Sequence, residues 1–329
     1  MQSSKKQTII WAVNPTKNPK DAKELIKEMK VWSKKLNFDV QPVAVFSKLK
    51  TGFPAQLNLL WGNNFEEFAK STFDNYLKKL PTKSFLKPQI LYSNSLSNRS
   101  MAADLSSFAK KVNAAMIFAC TRVKETKNPI RLGGFAESLI TLSSVPVMLM
   151  NPSVESKANK KTILFPTNFT PESQQSLVEI KPWVTELNSK VILFNQIQFP
   201  EYYTYDTVTS KIHNILKETE ALRRESLENI SHDLSKDQIK SSVIVARSHN
   251  YLGAQIIEVA RKNKVELIVI TNTTGPLYQS ILGSVAKDVL VRAKCPVLVL
   301  NHHHEEKTKM LEKKDFESEM DFRLEELSN

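Results

Sequence analysis

Glycine and cysteine are both scarce in this chain, with seven and two copies among 329 residues. Two cysteines cannot form the disulfide framework of a small secreted domain. Cys120 and Cys295 are therefore interpreted as buried small hydrophobic residues rather than nucleophiles. Glycine lets backbone amides approach phosphate oxygens and permits positive φ angles. So few glycines argue against a phosphate-binding loop of the usual kind.

Long hydrophobic runs and familiar catalytic motifs are also missing. No apolar stretch reaches the length of a membrane span, and the basic opening MQSSKKQTII is not followed by the apolar region of a signal peptide. The sequence has no zinc-ligand spacing, Walker loop, nucleophile elbow or recognisable pair of carboxylates. We therefore expect a cytoplasmic protein that has no membrane segment, no metal site and no enzymatic activity.

Charge is unevenly distributed along the chain, although the total is +12. Residues 1–151 carry 23 Lys and Arg against 10 Asp and Glu, residues 152–301 carry 18 against 15, and residues 302–329 carry 5 against 9. A basic first part could attract an acidic partner. Because the aromatic and arginine pattern of nucleic-acid binders does not accompany the lysines, we interpret them as solvated helix faces and expect no nucleic-acid partner.

An internal repeat organises the sequence. GGFAESLITLSSVPVMLM (133–150) aligns without gaps with GSVAKDVLVRAKCPVLVL (283–300), and TIIWAVNP (8–15) matches TILFPTNF (162–169). Blocks that recur in the same order at nearly the same spacing indicate a duplication. The predicted units are a basic first repeat at 1–151, a second repeat at 152–301 and an acidic amphipathic tail at 302–329.

Strand and helix patterns alternate within each repeat. The run VLVL near residue 300 does not alternate between polar and apolar residues, so it is typical of a strand buried on both faces of a parallel sheet. Five such strands with right-handed crossovers predict a doubly wound α/β sheet in each repeat. Ligands of these sheets bind at the carboxyl ends of the strands, beside strand 1.

The second repeat resembles a known family. ELIVI (266–270) and LGSVAKDVLVRAKCPVLVL (282–300) resemble the C-terminal signature of the universal stress protein family, and TILFPTNFT (162–170) resembles its first strand and turn. The first repeat resembles the family less closely, so the chain is similar to a tandem member. The resemblance implies two five-stranded parallel sheets of strand order 3-2-1-4-5, related by a pseudo-twofold axis. It also implies a stress-response role as a binding or regulatory module.

The glycine-rich pattern of the family's nucleotide-binding members is retained only in part. Gly283 and Ser284 match its end, but Thr271 stands at a glycine position and Asn168 replaces an aspartate. Asparagine keeps one acceptor but loses the charge-assisted hydrogen bond that an aspartate makes to a ribose hydroxyl or adenine amine. Alternatively, Ser284 serves only as the N-cap of the helix that follows.

Two interpretations of the nucleotide crevice stay open. In the first, the motifs are degenerate and no cofactor binds. In the second, the chain is an ATP-binding switch that uses the second repeat, with a dissociation constant well above about 10 μM. The candidate residues of that crevice are Pro166, Thr167, Asn168, Thr271, Gly283, Ser284 and Val285. In the first repeat, Cys120 and Asn14 occupy the corresponding glycine and aspartate positions, so nucleotide binding is expected there less.

Further candidates lie in a loop and in the tail. Four cations could hold an anion in the first repeat, although an exposed loop without a role is favoured; they are Arg122, Lys124, Lys127 and Arg131. The sequence HHH (302–304) is interpreted as a solvated linker rather than a metal site. Apolar residues recur at helical spacing in the tail, which either docks or stays solvated; they are Phe316, Met320, Leu324 and Leu327.

The last strand of each repeat is expected to form the main contact between the repeats. Strands 145–150 and 296–300 are apolar, and an open apolar edge strand invites aggregation. We predict that they pair antiparallel and form an intramolecular pseudo-dimer. A homodimer and a protein partner of unknown identity are further expectations.

Overall fold

A computed structural model describes residues 6–47, 65–121, 132–152, 154–157, 161–198, 210–272 and 282–302. Within these ranges, no helix is both long enough and apolar enough to cross a membrane. The predicted basic loop, the residues 303–304 and the tail beyond them lie outside the described residues.

The first repeat contains five strands and four helices within the described residues. A short 3-10 turn, Pro19–Ala22, precedes α1, and the Asn18 side chain caps that turn by accepting from the Lys20 amide at 3.0 Å. The elements in chain order are β1 Thr8–Val13, α1 Lys23–Leu36, β2 Asp39–Ser47, α2 Phe65–Leu77, β3 Gln89–Ser93, α3 Asn98–Lys111, β4 Met116–Cys120, α4 Gly134–Leu142 and β5 Val147–Met150.

The second repeat follows the same order of elements. Pro171 is its first helical residue and Thr170 is the N-cap, which is the arrangement expected where a helix starts. The elements are β6 Thr162–Pro166, α5 Pro171–Glu186, β7 Lys190–Gln198, α6 Ser210–Lys236, β8 Ser241–Ser248, α7 Leu252–Lys262, β9 Leu267–Asn272, α8 Ser284–Arg292 and β10 Val297–Asn301.

All ten strands form one sheet in the order β3-β2-β1-β4-β5-β10-β9-β6-β7-β8. Each half therefore has the predicted order 3-2-1-4-5, with parallel pairing inside the half. The expectation of two sheets needs one correction. Because β5 and β10 pair antiparallel, the edges of the two halves join into a single continuous sheet.

The centre of the β5–β10 pairing lies at equivalent positions of the two repeats. Met148 pairs with Leu298, and these residues are 150 positions apart, which is the offset of the sequence repeat. Glu137 and Lys287 are likewise equivalent, and the Lys287 Nζ lies 2.9 Å from the Glu137 Oε1 across the junction. Pairing between equivalent residues is the arrangement that a pseudo-twofold axis produces.

Two hydrophobic clusters cover the two faces of the sheet. Helices α1, α2, α5 and α6 pack on one face, and α3, α4, α7 and α8 pack on the other. The strands near the junction are buried on both sides, which explains their continuous apolar runs. The core therefore leaves the carboxyl ends of the strands as the place where a site can form.

The segment between the repeats is held against α1 by two carboxylates, one of them buried. The Glu28 side chain is buried and accepts from the Trp32 Nε1 and from the Ser156 Oγ, each at 2.8 Å. The Ser156 amide donates to Glu24 at 3.0 Å. Trp32 also packs edge to face against Trp183 of α5, with ring centres 5.9 Å apart. The two halves therefore share contacts beyond the sheet.

Candidate functional site

A cavity of about 510 Å³ opens at the carboxyl ends of the strands of the first repeat. The ends of β1, β2 and β4, the turn after β1, and residues of α2, α3 and α4 line it. This volume is in the range of pockets that bury cofactor-sized molecules. Doubly wound sheets bind ligands at this position, beside the end of strand 1. The cavity is therefore our candidate site.

Most of the cavity wall is aromatic or aliphatic. Among the described lining residues, Lys17 and Asp21 carry one charge of each sign. The larger apolar and aromatic side chains are Trp11, Phe46, Phe68, Tyr76, Met101, Leu105 and Phe135. Such a surface favours a ligand with an apolar body, and a few polar groups would set its orientation.

Two buried hydroxyl groups in this wall are unsatisfied. Ser47, at the end of β2, and Thr121, just after β4, are each 3% exposed. Neither the Ser47 Oγ nor the Thr121 Oγ1 has a hydrogen-bond partner among the described residues. A buried polar group without a partner costs about 1–3 kcal/mol, and native proteins contain few of them. We therefore take these two hydroxyls as the candidate hydrogen-bonding groups of the cavity.

The thiol and the phenol in the wall stay uncharged at neutral pH. Burial and, to a smaller extent, the Asp21 carboxylate raise the pKa of Cys120 to about 12. Burial is also the main cause that raises the pKa of Tyr76 to about 12. Nucleophilic cysteines need a lowered pKa. The structure thus gives no sign of an activated thiol at Cys120, which is partly buried, and Cys295 is buried.

The two asparagines at the aspartate position have the same local role. The Asn14 Oδ1 accepts from the Thr16 amide at 3.2 Å and from its hydroxyl at 2.8 Å. The Asn168 Oδ1 accepts from the Thr170 amide at 3.3 Å and from its hydroxyl at 3.0 Å. Both oxygens stabilise the turn after the first strand. A ligand would therefore meet the amide NH₂ group, which is a donor, rather than an acceptor.

The candidate residues of the second repeat lie at the carboxyl end of its strands. Pro166 ends β6, and Thr167 follows it, with a side-chain oxygen that accepts from the Phe169 amide at 3.0 Å and from the Ser173 Oγ at 2.9 Å. Thr271 lies on β9, which is next to β6 in the sheet. Its Oγ1 is buried and has no partner among the described residues.

Protein side chains occupy part of the space beside the end of β6. Phe169 adopts a left-handed backbone conformation with φ of 64°, and the Arg223 guanidinium lies 5.2 Å from the centre of its ring. This cation–π contact joins α6 to the turn that contains Asn168. The first repeat has a proline at the position equivalent to Phe169, so this stacking pair is particular to the second repeat.

The helix start at α8 differs by one residue from the prediction. Gly283, not Ser284, is the N-cap, with φ of −56° and ψ of 144°, and no side chain caps the helix. Ser284 is instead the first helical residue and is exposed. Val285 packs on the second hydrophobic cluster. The chain between residue 272 and residue 282 lies outside the described residues, so Gly283 and Thr271 are placed on separate elements.

His302 is not the solvated residue that the sequence predicted. Its Nε2 lies 2.7 Å from the hydroxyl oxygen of Ser176, which is buried in α5. A hydrogen bond to a buried partner fixes the start of the tail. No group of three or more His, Cys, Asp or Glu side chains in the described ranges is positioned to hold a metal ion.

Sequence reasoning missed Ser47, Tyr76 and Thr121 as candidate site residues. A hydroxyl residue at the end of a strand is common, so neither Ser47 nor Thr121 stands out in the sequence. Tyr76 belongs to α2 and lines the cavity together with residues of β1 and β2 that are distant from it in the sequence. The one sequence signal that could have found Ser47 and Thr121 is their position at the ends of the strands predicted to flank strand 1.

A family model described as the universal stress protein family matches residues 160–301. The match spans the second repeat, so this half of the chain resembles that family. The universal stress protein MJ0577 of Methanocaldococcus jannaschii is 25% identical over 156 residues, which cover 43% of this chain and 94% of that protein. The sequence similarity therefore has the length of one repeat.

Solved structures resemble the fold over both repeats. A universal stress protein from Archaeoglobus fulgidus aligns over 91% of this chain and 97% of its own, with a TM-score of 0.58 and 15% identity. Protein PA1789 from Pseudomonas aeruginosa PAO1, of unknown function, aligns over 90% of this chain and 92% of its own, with a TM-score of 0.57 and 13% identity. At these identities the likeness supports the fold alone, which is Rossmann-like in both repeats.

Proposed function

We propose that this chain is a tandem universal stress protein that acts in the stress response by binding a small molecule in the cavity of its first repeat. The cavity itself carries the proposal, because it combines about 510 Å³ of space with two unsatisfied buried hydroxyls at the ligand position of the fold. The high pKa values of Cys120 and Tyr76 support a binding role rather than a catalytic one.

The first repeat is proposed to be a divergent universal stress protein domain, with the domains at 1–151 and 152–301. Its strand order equals that of the second repeat, and both repeats use an asparagine to stabilise the turn after the first strand. The β5–β10 pairing supports an intramolecular pseudo-dimer. We further propose that the protein is cytoplasmic, that it has a protein partner and that it does not bind nucleic acid.

The second candidate function is an adenine-nucleotide switch that uses the second repeat. The family model matches that repeat, and among the described residues no heavy atom other than those of its chain neighbours and its own helix backbone lies within 4 Å of the position that a Cβ of Gly283 would occupy. A ligand could thus approach this backbone closely. Any ATP that binds there should be displaced by a large side chain at Gly283, and its affinity should be low because Asn168 supplies no carboxylate.

A matched pair of substitutions separates the two candidates. Gly133 is equivalent to Gly283, lines the cavity and has ordinary backbone angles of φ −68° and ψ 138°. Among the described residues apart from its chain neighbours, the atom nearest to a Cβ at Gly133 would be the Thr121 carbonyl oxygen at 3.6 Å, so Gly133→Leu should fold while its side chain enters the cavity. Gly283→Leu is the control in the other repeat.

Calorimetric titration with ATP, adenosine and uncharged two-ring compounds provides the measurement. We expect at least one of these compounds to bind the wild type and Gly283→Leu alike, and to bind Gly133→Leu at least about 10-fold more weakly, a difference of about 1.4 kcal/mol. Loss of all binding in Gly283→Leu alone would favour the nucleotide switch. If no compound binds in a way that depends on Gly133, the proposed function is wrong.

A further inference from the structure

The described wall of the first-repeat cavity is poorly suited to a phosphate group. Its charged residues, Lys17 and Asp21, contribute one charge of each sign. The Gly133 amide, at the start of α4, already donates to the Thr121 carbonyl oxygen at 3.2 Å. After burial, the charge of Asp21 is a further cause of the raised pKa of Cys120. This wall therefore disfavours an additional negative charge near the thiol.

Aromatic rings make the same wall well suited to a flat apolar body. Phe46 belongs to β2, Phe68 belongs to α2 and Phe135 belongs to the first turn of α4, so rings approach the cavity from three different elements. Aromatic side chains contact ring-containing ligands by stacking and edge-to-face packing. A ligand with one or more rings would fill this space better than a flexible polar chain.

The two unsatisfied hydroxyls set the positions of the ligand's polar groups. Ser47 ends β2 and Thr121 follows β4, and these strands flank β1 on its two sides. Two strand spacings separate the flanking strands by about 10 Å. A ligand that lies across the end of β1 would therefore reach one hydroxyl with each of its ends.

Building on the proposed function, we infer that the first-repeat cavity binds an uncharged, ring-containing molecule with two hydrogen-bonding groups roughly 10 Å apart, one for Ser47 and one for Thr121. This ligand class differs from a nucleotide, whose phosphate groups need cations or free amides. The two side chains act as positioning groups, and the aromatic wall supplies the contact area.

A series of biphenyl compounds tests this inference with the full-length protein. The probe 4,4′-dihydroxybiphenyl is uncharged and has two hydroxyls at opposite ends. Biphenyl lacks both hydroxyls, and biphenyl-4,4′-dicarboxylate replaces them with negative charges. We expect the dihydroxy compound to bind about 10-fold or more tightly than biphenyl, in line with two hydrogen bonds, and the dicarboxylate to bind most weakly.

Substitutions then assign the two hydrogen bonds. Ser47→Ala and Thr121→Val should each weaken the dihydroxy compound by about 3–10-fold, the effect of one hydrogen bond, and leave biphenyl unchanged. Thr271→Val, which removes a similar unpartnered hydroxyl in the second repeat, is the control and should change neither affinity. This comparison distinguishes a lost hydrogen bond from a general disturbance of the fold, because the latter would weaken both compounds.

Three results would overturn the inference. Equal affinity for biphenyl and its dihydroxy form would show that the hydroxyls of Ser47 and Thr121 do not form hydrogen bonds with the ligand. Tightest binding of the dicarboxylate, or of ATP, with loss in Gly133→Leu would reject an uncharged ligand but keep the cavity as the binding site. Failure of all three biphenyl compounds would reject the ligand class, while the titrations with ATP and adenosine would decide the proposed function separately.

Discussion

Three buried hydroxyl groups of the first repeat differ in their surroundings. The Ser106 Oγ donates to the Leu142 carbonyl oxygen at 3.1 Å, so its hydrogen-bonding capacity is used within the fold. The hydroxyls of Ser47 and Thr121 lie at the cavity and have no such partner among the described residues. Buried hydroxyl groups thus contribute differently to stability, depending on whether they have a partner within the fold or lie at the cavity.

This contrast predicts opposite effects on the stability of the ligand-free protein. Thr121→Val and Ser47→Ala remove unsatisfied hydroxyls and should keep or raise the free energy of unfolding, by up to about 1 kcal/mol. Ser106→Ala removes a satisfied hydroxyl and should lower it by about 1 kcal/mol. Urea unfolding measures all three. Destabilisation by Thr121→Val and Ser47→Ala as large as that by Ser106→Ala would mean that the two hydroxyls have partners.

The thiol of Cys120 predicts sensitivity to alkaline pH. Its pKa in the folded protein is about 12, whereas the thiol of an unfolded chain has a pKa of about 8.5. The folded state therefore keeps a proton that the unfolded state loses. Stability from this group is complete below about pH 8.5 and is lost as the pH rises towards about 12.

Urea unfolding between about pH 8 and pH 11 checks the effect. The wild type should lose stability steadily across this range. Cys120→Ala should show a shallower decline, because the substituted residue does not titrate. The same slope in both proteins would contradict a strongly raised thiol pKa.

At the scale of elements, the junction between the halves depends on Asn301 at the end of β10. Its Nδ2 donates to the carbonyl oxygens of Ile140 and Ser143 at 2.7 and 3.0 Å, and its Oδ1 accepts from Asn272 at 3.0 Å. The Glu137–Lys287 pair also bridges the junction, but it is partly exposed. A partly buried network contributes more to stability than an exposed ion pair.

Substitutions at the junction should therefore differ in size. Asn301→Ala removes hydrogen bonds to three residues of the junction and should lower the free energy of unfolding by about 1–3 kcal/mol. Lys287→Ala should lower it by less than about 1 kcal/mol, and high salt should reduce that difference further. Thermal or urea unfolding gives both values. A larger effect at Lys287 than at Asn301 would contradict this ranking.

The elements themselves could be predicted from the sequence because their signals are local. Apolar runs such as VLVL near residue 300 identify strands buried on both faces, and the repeated blocks transfer that assignment from one half to the other. The apolar edges also predicted the antiparallel contact between the last strands, which the structure has as β5–β10. The helix start at Gly283 was displaced by one residue, since a glycine with extended angles can serve as N-cap as well as a serine.

The cavity could not be predicted because it depends on how distant elements pack. Phe68 and Tyr76 come from α2, whereas Thr121 follows β4, and no sequence pattern links them. The glycine-poor motif argued against a phosphate loop, and this argument concerned one kind of ligand only. The glycine motif favoured the second repeat as the place of a site, because the family resemblance is stronger there. It gave no indication of the cavity in the first repeat.

At the scale of the whole molecule, the two halves form one folding unit within the described residues. The sheet is continuous, Trp32 packs on Trp183, and Ser156 between the repeats is bound by Glu28. Removing one half would expose the apolar β5 or β10 as an open edge. The halves should therefore stabilise each other.

Scanning calorimetry should consequently show a single cooperative transition for the wild type, with equal calorimetric and van't Hoff enthalpies. Met148→Asp places a charge at the centre of the buried β5–β10 pairing and should lower the melting temperature or separate the transition into two. Two resolved transitions in the wild type would show that the halves unfold independently, contrary to this account.

A crystal structure of the full chain soaked with 4,4′-dihydroxybiphenyl tests the central claim most directly. We predict density for the compound in the first-repeat cavity, with its two oxygens within hydrogen-bond distance of the Ser47 Oγ and the Thr121 Oγ1. Density for the compound beside Asn168 and Gly283 instead, with the first-repeat cavity filled by the protein's own side chains, would contradict the claim.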